Sequence, residues 1–322
     1  MRVLLVMCCL AALSGCGESE GTADSGVRKI AFLRAVATPD SPTDQAFMEE
    51  LARRGFVEGL NLTVIGGQDD EAYADPEEAE EAVRRWSSEG VDIILAYSTT
   101  GAVIAREHAP SSRILFLVND PTAAGFVKDE SRPNGSMTGV TFRVPADRML
   151  SIAQRILPAL QRVGLPYPPS DPAAIPSRDQ FVQAAQRLNL EMVAEPFSDQ
   201  NDVARAVGQL VQAGRAQLLL ASVSPTATRA LPQLADAADA YRVPFAANVA
   251  TDRALLTLSP DGASIGQQLG RQAARLLNGA TPAAVPVENP RRFQLTLNEK
   301  VALQLGIPLP AEVVREADVV HR

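Results

Sequence analysis

Short apolar runs alternate with amphipathic stretches along most of the chain. Lys29 to Val36, Leu62 to Ile65, Val91 to Tyr97 and Ile114 to Val118 read as strands, and the last, an unbroken apolar run too short for a helix, predicts a strand covered on both faces, as in a parallel sheet. Helix signals fall between them. Ser41-Pro42-Thr43-Asp44 offers an N-cap hydroxyl, proline at the first helical position and an acid three residues on. Phe47 and Leu51 form one face of that helix, and Gly55 stops it. Beyond the polar loop Gln68 to Tyr73, Asp75-Pro76-Glu77-Glu78 opens a second helix with Ala79, Ala82, Val83 and Trp86 on its buried side and Gly90 at its end. Ser98-Thr99-Thr100-Gly101 caps a third.

The pattern recurs in the second half. Arg162 to Leu165, Glu191 to Ala194, Gln217 to Ala221 and Val243 to Ala247 stand where the first four strands stood, with helices around Phe181 and Leu188 and over Asn201 to Ala213. Two successive βαβ series of similar length predict two similar α/β lobes rather than one long sheet. The expected architecture is two Rossmann-like lobes, each a parallel sheet flanked by helices, joined by a hinge. The division reads as 28–142 for lobe 1, with part of 259–322 returning to it, and 143–258 for lobe 2. Met137 to Val144 leads across, and Leu255 to Leu258 leads back. Ser264 to Asn278 is a helix whose Gly262, Gly266 and Gly270, four apart, predict close packing on a sheet. No Lys-Ser/Thr follows them, so they are not a phosphate loop. Phe293 to Leu297 is a last strand, followed by a helix through Leu303 and a tail with Pro308 and Pro310.

The amino terminus sets the compartment. Met1-Arg2 precedes the apolar run Val3 to Leu13, which has the form of a secretory signal and is too short to remain as a membrane-spanning helix. Leu13-Ser14-Gly15-Cys16 resembles the lipobox of bacterial lipoproteins, whose cysteine takes the lipid and becomes the first mature residue. Residues 1–15 are therefore expected as signal peptide and 16–27, rich in Gly, Ser, Thr and acids, as a flexible tether. Cys8 and Cys9 would leave with the signal, so Cys16 would stand alone and no disulfide framework or Cys metal site remains.

Composition narrows the functional classes. A net charge of −8 with no recurring basic face argues against nucleic acid, and 5% aromatic residues give little for a base-stacking platform. The two histidines, His108 and His321, lack the partners of a catalytic relay or a metal cluster. There is no Gly-x-Ser-x-Gly elbow, dinucleotide fingerprint or His-Glu-x-x-His, so no catalytic residue, cofactor or metal is assigned. Asp69-Asp70 and Glu77-Glu78 read as solvated charge, and a two-carboxylate glycosidase is the remaining enzymatic alternative.

The candidate chemistry lies at strand ends, because ligands of open α/β sheets bind beyond the carboxyl ends of the strands. The fourth strand stops on Asn119 and Asp120, Pro121 forbids its continuation, and Gly125 allows a turn. Other ends carry Thr38, Ser98 and Thr99 in the first half, then Tyr167, Asp171, Ser222, Ser224 and Asn248 in the second. Thr141 in the crossover and Asp261 before the glycine-spaced helix complete the set. Helix N-termini behind Ser98 and Ser224 favour an anionic group, and Asp120, Asp171 or Asp261 could answer an ammonium. These residues predict a small polar ligand clamped between the lobes by hinge closure.

Several segments resemble the ABC-transporter substrate-binding lipoproteins of the periplasmic-binding type I fold, in the subfamily associated with tryptophan, tyrosine or other small solutes. They are Gly55-Phe56-Val57-Glu58-Gly59-Leu60-Asn61-Leu62, Val91-Asp92-Ile93-Ile94, and Asp120-Pro121 with Gly125-Phe126-Val127. Asn134 to Val140 and Leu303-x-Leu305-Gly306-Ile307-x-Leu309-Pro310 continue the match in the right order. The resemblance implies three crossovers, a ligand held in the cleft, and delivery to a membrane permease with its ATPase by a monomer anchored through the Cys16 lipid. A sensing or scaffolding lipoprotein without transport is the alternative. Two segments depart from the pattern: Pro168-Pro169-Ser170-Asp171-Pro172-Ala173 replaces Asn-Pro-Gly-Glu-Pro-Asn, and Val223-Ser224-Pro225 replaces Thr-Asp-Asn. Both changes predict a less polar second-lobe wall.

Overall fold

A computed structural model describes residues 26–34, 41–66, 73, 75–133, 135–249 and 251–322. The expected signal peptide, Cys16 and Thr38 lie outside the described residues.

The first sheet has strand order β2-β1-β3-β4-β5, all parallel. Its strands are β1 (Arg28–Arg34), β2 (Leu62–Ile65), β3 (Ile93–Tyr97), β4 (Arg113–Val118) and β5 (Met137–Thr141). Helices α1 (Pro42–Arg53), α2 (Pro76–Ser88) and α3 (Thr99–His108) are its connections. Proline at the first helical position and the Asp75 carboxylate, which accepts from the Glu77 amide at 2.8 Å, start α2. That helix seats Trp86, fully buried, on one sheet face beside Ile94 and Phe116. On the other face Phe47 and Leu51 of α1 pack with Ile30, Phe32 and Leu115.

The second sheet has order β12-β11-β10-β9-β8-β6-β7. It contains β6 (Arg162–Tyr167), β7 (Glu191–Pro196), β8 (Leu218–Leu220) and β9 (Phe245–Ala247), then β10 (Leu256–Pro260), β11 (Phe293–Asn298) and β12 (Val319–His321). Read from β7, its first five strands repeat the order of the first sheet, so both lobes have the same winding. Only β11 runs antiparallel to its neighbour β10. Around this sheet lie α4 (Ala146–Ile156), α5 (Ala174–Arg187), α6 (Val203–Gly208), α7 (Pro225–Arg229) and α8 (Leu231–Tyr241).

Two connections differ from the sequence reading. Leu255 to Leu258, expected to lead back to the first lobe, belongs to β10 itself, and the chain returns to that lobe after it, at Asp261. An apolar run looks the same whether it joins lobes or closes a sheet. Helix α9 (Gly262–Leu277) then lies on the first sheet through Ile265, Leu269 and Ala273, as expected, but its glycine stripe meets helix α1 instead. A Cβ at Gly266 would lie 2.1 Å from the Thr43 carbonyl oxygen, and one at Gly270 2.7 Å from the Glu50 Cβ. The glycines let two helix backbones meet. The rest of the tail, through α10 (Glu299–Leu305), α11 (Ala311–Glu316) and β12, adds to the second sheet.

The crossings share one hydrogen-bonded knot. Thr141 N donates to Glu288 O at 2.8 Å, and Glu288 N donates back to Gly139 O at 3.0 Å. From α9, the buried Gln272 donates to Gly139 O and Pro286 O, while Gln268 donates to Glu288 Oε2 and Asn289 O. These amide donors tie the lobes together at their base and leave the strand ends opposite each other. Among the described residues no helix is long and apolar enough to cross a membrane.

Candidate functional site

A cavity of about 240 Å³ lies between the lobes, and both contribute walls. The first lobe presents the carboxyl ends of β1, β3 and β4 as Arg34, Tyr97 to Thr99, and Leu117 to Asn119, with Phe142 from the first crossing. The second presents Ala173, Val223 to Pro225, Thr228, Asn248 and Val249. This is the position that a sheet wound outward from its first strand leaves for a ligand.

Arg34 is fixed before any ligand arrives. Its Nη2 lies 2.6 Å from Asp44 Oδ2, and its guanidinium sits 5.0 Å from the ring centres of both Phe32 and Tyr97. The Tyr97 hydroxyl donates to Asp44. Burial pushes the Asp44 carboxyl above its ordinary range, with Tyr97 and Arg34 pulling the other way. Burial, and then the Asp44 charge, holds the Tyr97 phenol well above its own. Tyr97 therefore keeps its proton and spends it on Asp44. The positive charge in the wall is balanced from behind.

Ser98 adopts φ 130°, ψ 162°, a strained backbone for a residue with a Cβ. Its Oγ accepts from Gly101 N at 3.1 Å and caps α3, which aims the first turn of that helix at the cleft. Thr99 lies beside it, 4% exposed. On the opposite wall Ser224 Oγ accepts from Ala227 N at 3.2 Å.

Two buried amides of the cavity wall are left wanting. Asn119 is 5% exposed with its Oδ1 unpartnered, and Asn248 is 1% exposed with its Nδ2 unpartnered. Burying a polar atom without a partner costs roughly 1–3 kcal/mol, so such atoms stand out where a ligand supplies the missing bond. Both residues line the cavity, one from each lobe.

The structure thus brings together Ser98, Thr99, Asn119, Ser224 and Asn248 from the residues the sequence singled out. The others it places elsewhere. Asp120 turns back, its Oδ1 accepting from Thr122 N and Ala123 N and pairing with Arg143 at 3.2 Å, so it supports a turn rather than an ammonium. Thr141 donates to Asn289 Oδ1 inside the crossing. Tyr167 accepts from Arg178 at 3.2 Å outside the cavity. Ser222 is buried with an unpartnered Oγ but is not part of the cavity wall. Asp171 accepts from Ala173 N and Thr226 N and faces a neighbouring hollow. Asp261 caps α9, accepting from Ser264 N at 2.6 Å. Asp261→Ala is expected to cost about 1 kcal/mol in denaturant unfolding with no change in ligand affinity; an affinity loss would return it to the site.

Arg34 went unread from the sequence, as did Phe142, Val223, Thr228 and Val249. For Arg34 a signal existed: a single cation interrupts the apolar run from Ile30 to Val36. Ala173, Val223 and Pro225 of the two departing segments do form apolar wall. Among the described residues no group of three or more His, Cys, Asp or Glu is placed to hold a metal.

A family model described as ABC transporter substrate binding protein matches residues 41–321. A tyrosine-binding protein of Clostridioides difficile strain R20291 is 23% identical over 89% of this chain and 86% of its own length. A conserved domain protein of Vibrio cholerae superposes with TM-score 0.83 and 24% identity, covering 91% of this chain and 99% of that one. An ABC domain from Streptococcus pneumoniae in complex with L-Trp gives TM-score 0.81 and 21% identity over the same shares. The architecture is the type I periplasmic-binding fold.

Proposed function

The chain belongs to the ABC transporter substrate-binding protein family, a family of extracytoplasmic binders rather than enzymes, and from that premise we propose that it serves an importer by closing two lobes on an amino-acid-like solute with an apolar body. The carrying observation is the interlobe cavity at the strand ends, lined from both lobes by apolar side chains and by the amides of Asn119 and Asn248. Leu117, Val118, Phe142, Val223 and Val249 supply apolar contact on several sides, which suits an aromatic or branched side chain. The α3 N-terminus suits a carbonyl or carboxylate oxygen. A tyrosine-binding relative and an L-Trp-bound structural neighbour support the same class.

In this reading the solute bonds to Asn119 on one lobe and Asn248 on the other, so its binding energy favours the closed arrangement and its departure releases it. The closed pair of lobes is what a permease with its ATPase would recognise, and lipid on Cys16 would hold the receptor, acting as a monomer, at the envelope. A thermal-shift screen of the soluble protein against tyrosine, tryptophan, phenylalanine and polar amino acids tests the proposal. Solute at 100 times its Kd is expected to stabilise the fold by about 2.7 kcal/mol. No shift with any apolar amino acid or short amide derivative of one, at millimolar concentration, would overturn it.

A further inference from the structure

The cleft continues beyond the cavity just assigned. A second hollow of about 370 Å³ opens between the same two lobes, and Arg34 and Pro225 line both. One of these residues comes from each lobe, so together they form the shared partition between two compartments. We infer that the receptor takes an amide-linked ligand of dipeptide size, an apolar residue in the first compartment and a charged unit in the second. The inference rests on the receptor reading above and specifies its substrate class.

The two compartments differ in chemistry. The first has apolar walls, an ion pair already closed on itself, and two neutral amides lacking one bond each, an acceptor on Asn119 and a donor on Asn248. A neutral acceptor and a neutral donor match the N–H and C=O of an amide group. They are poorer partners for a free ammonium or carboxylate, which binds best to full charge. The second compartment holds that charge. Asp171, 5% exposed, is held by the Ala173 and Thr226 amides at 3.1 and 3.0 Å, one to each oxygen. An ionised carboxylate has about four acceptor sites, so two remain for a cation. Arg229 lines the same hollow, bonds only weakly to Thr226 Oγ1 at 3.4 Å, and makes no ion pair among the described residues. Thr100 and Thr226 add hydroxyls from the two sides.

Size points the same way. Sites for drug-sized ligands run to roughly 300–1,000 Å³. The first compartment alone, at 240 Å³, falls below that range, and the two together fall well inside it. A single amino acid would leave the charged compartment empty when the lobes close.

Isothermal titration calorimetry with tyrosine, tryptophan and phenylalanine, set against dipeptides pairing each aromatic residue with Gly, Asp or Lys in both orders, tests this. At least one aromatic dipeptide is expected to bind about tenfold or more tightly than its free aromatic amino acid. Arg229→Gln, a change at an exposed side chain, is expected to remove most of that advantage for a dipeptide with an acidic end, and Asp171→Asn for one with Lys. Free amino acids binding as tightly as every dipeptide would overturn the inference and leave the receptor reading standing. Binding of neither class would overturn both. A dipeptide advantage untouched by both Arg229→Gln and Asp171→Asn would place the charged end outside the second compartment and sink the assignment.

Discussion

Asn248→Leu is expected to weaken solute binding by about 5- to 150-fold while leaving the empty receptor as stable as before, or more so. The two halves of that result come from one atom. Asn248 is 1% exposed, and its Nδ2 has no partner in the empty cleft. Leucine has nearly the same shape and no donor, so the unliganded fold loses nothing and is relieved of an unsatisfied group. The bound state loses the hydrogen bond that the solute supplies across the cleft, about 1–3 kcal/mol for a buried pair. Calorimetric affinity and the melt of the empty protein, measured together, check it. A destabilised empty protein with unchanged affinity would make Asn248 a packing residue. The same substitution at an ordinary core amide, such as Gln272 with its two carbonyl partners, would do the reverse.

That separation between binding and folding roles was only partly legible in the sequence. The doubled winding was legible because each central strand is covered on both faces and so reads as an unbroken apolar run, as in Ile93 to Ala96 and Leu218 to Leu220. Strand ends pointed to the cleft for the same topological reason, and Asn119, Ser98, Ser224 and Asn248 are there. Asp120 was not, because an acid at a strand end can satisfy its own turn. Whether it does depends on Arg143, 23 positions away. The Arg34–Asp44–Tyr97 cluster joins a strand end, a helix and a second strand, and no local pattern encodes that meeting. Strand β12 spans three residues, too few to show a period. Most telling is α9: its glycine spacing announced a close approach without naming the partner, since a stripe of missing side chains fits a sheet and a helix equally well.

That contact carries the largest stability effect expected here. Gly266→Ala places a methyl carbon 2.1 Å from the backbone carbonyl oxygen of Thr43, with the Ala46 Cβ and the Phe47 nitrogen both at 2.9 Å. A backbone oxygen inside α1 cannot rotate away, so α9 must lift or α1 must bend. Overpacking of this kind costs about 1–3 kcal/mol and at times more, whereas the alanine gains about 1 kcal/mol in helix propensity. The clash wins, and Gly266→Val, bulkier still, should cost more than Gly266→Ala. Gly262 on the same helix is the internal contrast, since its nearest neighbour is the Thr43 Oγ1 at 2.9 Å, a side-chain atom that can rotate. Gly262→Ala should therefore be the milder change. Because α9 also carries Gln268 and Gln272 into the crossings, a lifted helix loosens the base on which the lobes close. Urea unfolding of the three variants should show midpoints falling in the order Gly262→Ala, Gly266→Ala, Gly266→Val. Wild-type midpoints for both Gly266 variants would mean that α1 and α9 do not meet this closely in solution, and the first lobe would then need another account of how its outer face is covered.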